Sequence, residues 1–360
     1  MVRVPITGIG VIAPDAIGVD AFRALLASGR SAVGEVDRFD TAGLSAHHAA
    51  LVRDFKPRDF IAPMKMRRMN ALSRLGVAAA KLAIEDCGGT IPAAAGVAIG
   101  TAFGPVQTSV EYMREYVDKG PALAPPQLFA ESVANAPGSH IAIEWGLRGF
   151  NVTITQRESS ALAAAMYAAT QLVKGSAPAA LIGGVEEANE MLFSVLDRIG
   201  ALAVRPFDSP ANGLVLGEGG AVLVAGAGTR KPYAWLAGFG IARDTTAPIS
   251  DWGTSADAVI VAMNAALDDA EVDGVDAIFA SANGSRRGDD LERRAIAQRF
   301  GDAAGVVVTK QVFGEYAAGG ALQIVAALLA LDEGRYDRVL VNSLSAGGGI
   351  VCAVLSREGA

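Results

Sequence analysis

Reactive side chains are scarce in this sequence: 360 residues hold two cysteines, Cys87 and Cys352, and three histidines, His47, His48 and His140. The cysteines lie far apart and no Cys/His spacing suits a metal, so neither a disulfide framework nor a zinc site is expected and a reducing cytoplasm is the expected compartment. Adjacent His47 and His48 have no third ligand near them in sequence and read as loop residues, and His140 reads as a packed side chain. Positive charge is short as well. Lys and Arg number 31 against 38 Asp and Glu, a net charge of −7, with a pI near 5.1. That balance, with no Lys/Arg-rich block, argues against nucleic acid or an anionic membrane as partner. A membrane-length apolar run is also missing. The apolar start, residues 2–14, is interrupted by Arg3 and two glycines, lacks the pattern of a signal peptide, and reads as a buried strand. No cofactor or metal is called for.

What is present is core-forming material. With 51% hydrophobic residues, the chain can bury a large core as one big domain or two intimate halves. Strands are expected at residues 2–11, 95–101, 151–155 and 179–184, with a hairpin-like pair at 213–217 and 220–225. Helices are expected at 19–27, 64–86, 107–117 and 190–203. A further helix over 125–145 should break near Pro137-Gly138. Residues 30–62 read as irregular. Methionines Met64, Met66 and Met69 would then lie on one long helix, packed in a core or an interface. After residues 226–232 the rhythm repeats, with strands at 233–242, 277–280, 306–309, 338–342 and 350–356 and helices at 255–269, 291–300 and 319–331. Near-continuous apolar strands alternating with helices point to an α/β protein with a mainly parallel, doubly covered sheet in each half. The halves are residues 1–228 and 229–360.

One stretch organises the rest. Asn151, Val152, Thr153, Ile154 and Thr155 read as a strand that turns sharply at Gln156 into an alanine-rich helix, with Ser159 and Ser160 offering capping hydroxyls. A side chain at such an elbow faces unpaired amide N–H groups and the positive end of a helix dipole, where enzymes often mount a nucleophile. Here the elbow, residues 151–160, carries Glu158, a poor nucleophile.

A series of short motifs accompanies the elbow: Gly146-Leu-Arg-Gly-Phe before it, Gly183-Gly-Val-Glu186 after its helix, Arg205-Pro-Phe-Asp208, and Gly213-Leu-Val-Leu-Gly-Glu218-Gly-Gly. Asp289 with Glu292, Thr309-Lys310 and Val341-Asn-Ser343 continue it. In this order the chain resembles the ketosynthase (β-ketoacyl-[acyl-carrier-protein] synthase) group of the thiolase fold, essentially end to end. The resemblance implies two similar α/β halves forming a five-layer α-β-α-β-α core, and dimers in which elbow strands pair across a twofold axis.

Active ketosynthases of this kind use an elbow cysteine, which takes the acyl chain, and two histidines, which assist decarboxylation and stabilise the enolate. Counting from the flanking motifs places these positions at Glu158, Ser281 and Glu315. All three catalytic groups are absent. A carboxylate attacking a thioester would give a mixed anhydride that hydrolyses readily, so condensation by this chain alone is not expected. Decarboxylation of malonyl-carrier protein is an alternative, but it needs an oxyanion donor; Ser281 is a weak one and Glu315 would oppose the developing charge. A homodimeric protein that binds acyl chains or acyl carrier protein is another alternative.

The chain is most similar to chain-length factors, the partner subunits of ketosynthases in type II polyketide systems, with Phe279-Ala-Ser-Ala-Asn-Gly284 matching their pattern. Gln156-Arg157-Glu158 departs from their usual Glu-Gln pair, which suggests a divergent member, of a reducing or polyene-forming system. The Phe-rich gating loop of ketosynthases is replaced by Ser345-Ala-Gly-Gly-Gly349. The resemblance implies an active ketosynthase as partner in a heterodimer, with acyl carrier protein docking mainly on that partner. It also implies a tunnel floor drawn from Thr108, Tyr112, Phe129 and Val133. Residues 151–156 would form the interface edge. Glu158 and Glu315 should lie close together, and two buried carboxylates do not both ionise cheaply. Either Lys310 bridges them or one is protonated, and Glu158 could otherwise be held by helix N–H groups, Arg157 or Lys310.

Overall fold

The computed structural model describes residues 3–206 and 212–359. Ten strands of its main sheet run, in chain order, β1 Val4–Ala13, β2 Gly96–Gly100, β3 Asn151–Ile154, β4 Ala180–Glu186, β5 Gly219–Ala225, β6 Ala234–Arg243, β7 Ala277–Phe279, β8 Gly305–Val307, β9 Arg338–Leu344 and β10 Gly349–Ser356. A two-residue strand, Ala16–Ile17, folds back on β1. In space the order is β8-β7-β9-β10-β6-β1-β5-β4-β2-β3. The second five strands therefore repeat the order of the first five in mirror image. The two sets join where β1 and β6 pair antiparallel, Val4 opposite Leu236.

The helices longer than four residues are α1 Val19–Ser28, α2 Ala71–Asp86, α3 Val106–Lys119, α4 Pro126–Glu131, α5 Ala136–Trp145, α6 Ser160–Val173, α7 Glu190–Arg198, α8 Ala256–Ala270, α9 Arg286–Phe300 and α10 Ala321–Asp332. Helices α6 and α10 share one core with residues from both halves of the sheet. Their sequences explain that position. Residues 321–331 of α10 are buried without exception, and a helix apolar on every side is stable only when surrounded. Alanines along α6 let two sheets approach it closely. Its one polar interior neighbour on α10, Gln323, is fully employed: Nε2 lies 2.9, 2.8 and 3.0 Å from the carbonyls of Phe279, Ala280 and Asn342. Helices α2 and α5 cover the outer face of the first half, and α8 and α9 that of the second. Five layers, α-β-α-β-α, result.

Several expectations from sequence are corrected. The sheet is mixed rather than mainly parallel: β2 pairs parallel with β3 and β4, and β7 with β8 and β9, while β5 and β10 are antiparallel to both their neighbours. Continuous apolar runs report burial on both faces, which central antiparallel strands share, and not strand direction. The helix expected from residue 64 starts at Ala71, because the Asn70 side chain accepts from Ser73 N at 2.6 Å and caps it. Met64 and Met66 sit instead on a separate turn, Pro63–Met66. The pair at 213–225 is no hairpin: Leu216–Gly217 joins Gly34–Glu35 and His48–Ala50 in a small sheet of its own, so His48 is a strand residue and 30–62 is not wholly irregular. Helix α7 stops at Arg198, short of 203. The break expected at Pro137-Gly138 falls earlier, between Glu131 and Ala136, and Pro137 occupies the first turn of α5, where its missing N–H costs nothing. Phe207 and Asp208 of the Arg-Pro-Phe-Asp motif lie outside the described residues.

Candidate functional site

The elbow is built by close packing. Strand β3 ends at Ile154, so Thr155 lies just past it, and one 3-10 turn, Arg157–Ser159, leads into α6. Arg157 has φ 48°, a left-handed conformation that costs a non-glycine residue of order 1 kcal/mol. Two glycines leave room for this turn. A Cβ on Gly100 would stand 2.4 Å from Ala161 N, and one on Gly184 would stand 2.0 Å from Ala318 O. The ends of β2 and β4 thus press directly against the elbow and against the loop that follows Glu315. That loop is strained too, with Tyr316 at φ 64° and Ala318 at φ 54°.

The serines next to Glu158 do not cap the helix as expected. Ser159 Oγ donates to Ser343 O at 3.0 Å and lies 2.7 Å from Ser345 Oγ, which in turn bonds Gln156 O at 3.0 Å. Ser160 Oγ accepts from Gln156 N and lies 2.6 Å from Arg157 O. The glycine-rich turn after β9 is thereby fastened to the elbow through Ser345. A loop held in this way is not free to swing.

Glu158, Ser281, Lys310 and Glu315 come together in one buried network. Glu315 Oε2 accepts from Lys310 Nζ at 2.8 Å and from Asn283 Nδ2 at 2.6 Å, and its Oε1 accepts from Tyr316 N at 2.8 Å. Lys310 Nζ also donates to Ser281 O at 3.0 Å. Ser281 has its amide on Glu292 Oε1, 2.9 Å, and its hydroxyl accepts from Leu344 N at 3.0 Å. Glu158 Oε1 accepts from Tyr316 Oη at 2.8 Å, while Oε2 is buried with no partner among the described residues. Lys310 therefore pairs with Glu315 and does not bridge the two carboxylates; Tyr316 is the group on Glu158. Arg157 does not hold Glu158 either, since its Nη1 reaches Ala346 O at 3.5 Å.

Electrostatics agrees with that division. Burial first, and then the nearby Glu315 charge, push the Glu158 carboxyl up to about 7, against the opposing pull of its own backbone N–H, Tyr316 and Lys310. Burial, followed by the same carboxylates, raises the Tyr316 phenol well above its usual range. Glu158 and Tyr316 are 2% and 4% exposed, so the Glu158 carboxyl on Tyr316 and the Lys310–Glu315 pair, 2.8 Å each, both lie out of water. Ser281 Oγ is engaged with Leu344, accepting from its N at 3.0 Å and lying 3.5 Å from its O. A cavity of ≈ 740 Å³ reaches Lys310, Asn283 and Asp289 from the side of α1 and α10, but Glu158 is not among its lining residues.

The proposed tunnel residues are only partly gathered. Tyr112 of α3 and Phe129 of α4 meet in a tilted pair with ring centroids 5.4 Å apart, and Tyr116 is 6.2 Å from Tyr112. Thr108, one turn before Tyr112, is buried, whereas Phe129 and Val133 are exposed. Asn151, Val152, Thr153 and Ile154 lie in β3, an end strand of the sheet that pairs with β2 on one side. Of the other histidines, His140 packs its Nε2 2.7 Å from Glu131. Sequence reasoning missed Tyr316 and Asn283; the signal available was position, Tyr316 directly after Glu315 in a glycine-rich loop and Asn283 two residues after Ser281.

A twice-used α/β half, two central helices and a strained strand-to-helix elbow between them define the thiolase-like class. The chain belongs to the β-ketoacyl synthase family: the N-terminal domain of that family matches residues 1–228 and its C-terminal domain matches residues 233–341. It is similar to the 3-oxoacyl-[acyl-carrier-protein] synthase 2 of Vibrio harveyi, 30% identical over 362 residues, covering 92% of this chain and 86% of that one. Among solved structures it resembles the ishigamide ketosynthase/chain length factor, with TM-score 0.86, 27% identity and 99% of both chains covered. It also resembles a β-ketoacyl synthase from Burkholderia phymatum, with TM-score 0.88, 25% identity and 100% of both chains covered. No helix among the described residues is long and apolar enough to cross a membrane.

Proposed function

We propose that this chain is the non-catalytic, chain-length-factor subunit of a type II polyketide ketosynthase, working in the cytoplasm as a heterodimer with an active ketosynthase. The observation that carries the reading is the buried network itself. The positions where a condensing enzyme keeps a thiol and two imidazoles hold Glu158, Ser281 and Glu315, tied to Tyr316 and Lys310. The likeness to a solved ketosynthase/chain length factor supports it. The function then moves to the partner-facing side, where β3 supplies an edge for pairing and Thr108, Tyr112, Phe129 and Val133 shape the tunnel for the growing chain. Acyl carrier protein docks mainly on the ketosynthase.

The test separates this role from decarboxylation and condensation. Purified alone, the chain should release no carbon dioxide from malonyl-carrier protein and should not become acylated. Mixed with a ketosynthase retaining Cys/His/His, it should raise the rate and set the length of polyketide formation. Carbon dioxide release by the chain alone, or full activity of the ketosynthase without it, would remove the proposal.

A further inference from the structure

Helix α3 has no cap of its own. Pro105 precedes its first residue and offers no side-chain oxygen, so the N–H groups of the first turn must find acceptors elsewhere. Val106 N donates to Gly104 O at 2.9 Å and Ser109 N to Pro105 O at 3.0 Å. Gln107 N donates to Glu187 Oε1 at 3.0 Å, across 80 residues of sequence. A carboxylate there also meets the positive end of the helix dipole. Glu187 belongs to a short buried run that serves several elements at once. Its neighbour Glu186 accepts from Ala102 N and, at 3.2 Å, from Thr101 Oγ1, which itself accepts from Gly104 N at 3.0 Å. Ala188 N donates to Glu218 Oε2 at 3.1 Å. Asn189 caps α7 by accepting from Leu192 N at 2.9 Å, and its Nδ2 donates to Glu187 Oε1 at 3.4 Å. All four residues, Glu186 to Asn189, are at most 7% exposed. The end of β4 thus fastens the approach to α3, residues 101–107, together with the start of α7. A cavity of ≈ 560 Å³ bordered by Gln107, Glu187 and Asn189 leaves space beside the first turn of α3, so that turn can shift once the tie is cut.

We propose that Glu187 is a positioning residue for the tunnel: by capping α3 from the end of β4 it fixes where Thr108 and Tyr112 stand, and with them the length to which the partner's chain grows. The inference deepens the chain-length-factor reading and rests on it. Thr108 directly follows Gln107 and is the buried residue of α3, 7% exposed, and Tyr112 follows one turn later. Displacing the first turn therefore moves Thr108 first. Further along, Ser109 Oγ donates to Ser132 O at 3.1 Å and Tyr112 meets Phe129 of α4, so a displaced α3 carries the Phe129 wall with it. Glu187 touches none of the reacting groups and acts only through α3.

The test uses the full chain in complex with its ketosynthase. Glu187→Ala should speed hydrogen exchange over residues 106–112 about fivefold or more, the effect of a lost cap, while exchange in α8 and α9 stays as it was. The main product, read by mass spectrometry, should move toward longer chains by at least one extension unit. Glu187→Gln keeps a side-chain oxygen for Gln107 N and should leave both readouts unchanged. Tyr112→Ala, run in parallel, tests the reading underneath. A new product length with Tyr112→Ala but the old one with Glu187→Ala, even at a lowered thermal midpoint, reduces Glu187 to a structural cap and overturns the inference alone. The old length with both variants overturns the reading together with it. Unchanged exchange over 106–112 in Glu187→Ala, or the same product shift in Glu187→Gln as in Glu187→Ala, also overturns the inference. If Glu187→Ala does not fold, Glu187→Asp, which keeps the charge and draws the oxygens back by one methylene, takes its place with the same expectations.

Discussion

Glu158 couples its burial to a titration that bears on stability. In the folded chain its carboxyl keeps its proton up to about pH 7, whereas the ordinary value is 4.5. Between those limits the folded state binds more protons than the unfolded, so raising the pH favours unfolding. The stabilisation from the neutral carboxyl is complete below about pH 4.5 and gone above about pH 7, a loss of roughly 3 kcal/mol at one kilocalorie-scale step per pH unit. Glu186, raised to about 8, and Glu187, raised to about 7, both chiefly by burial, act with the same sign. The thermal midpoint should therefore fall as the pH rises from about 5 to about 8. Glu158→Gln, which keeps the acceptor for Tyr316 Oη and removes the titration, should flatten that fall and raise the midpoint at the alkaline end. An unchanged slope in melts across this range would show that the Glu158 carboxyl is already charged.

At the scale of elements, β3 and α3 carry the function proposed for the chain. The cross-strand bonds Val97 N to Phe150 O and Thr101 N to Ile154 O turn alternate residues of β3 toward β2, leaving the backbone of Asn151, Thr153 and Thr155 toward the open edge. Proline is tolerated on such an edge. Thr153→Pro should leave the chain folded, as judged by circular dichroism, yet abolish co-purification with a tagged ketosynthase; full recovery of the complex would show that β3 is not the pairing edge. On α3, Tyr112→Ala should lengthen and Tyr112→Trp shorten the polyketide made by the complex, read by mass spectrometry, and identical products would dismiss Tyr112 as a wall. Much of this was legible in the sequence. Apolar runs located the strands, the Ala/Leu run of 319–331 located a helix, and motif spacing placed Glu158, Ser281 and Glu315 together. Strand direction was hidden, because burial on both faces writes the same pattern in either sense. The split of residues 64–86 was hidden because Asn70 reads as helix interior until its side chain is seen on Ser73. Tyr316 was hidden because pairing with Glu158 is set by backbone strain 158 residues away in sequence.

For the whole molecule, the question is what covers the exposed apolar side chains around that edge. Met113, Tyr116 and Val117 on α3, Phe129 on α4, and Ile143 on α5 are 40% to 76% exposed, and Asn151 Nδ2 ties α5 to β3 through Gly138 O. A partner that buries such side chains together stabilises the fold by mass action. Expressed alone, the chain should self-associate or melt early. With a ketosynthase it should run as a one-to-one complex in light scattering, with a raised thermal midpoint. Because the contact is apolar and backbone-mediated, about 1 M salt, which screens exposed charge pairs within a few ångströms, should leave the complex intact. The competing outcome is equally definite. A monodisperse homodimer, stable alone and refusing to exchange subunits with a ketosynthase, would mean that the face is covered by a second copy of this chain, and the heterodimer would have to be given up.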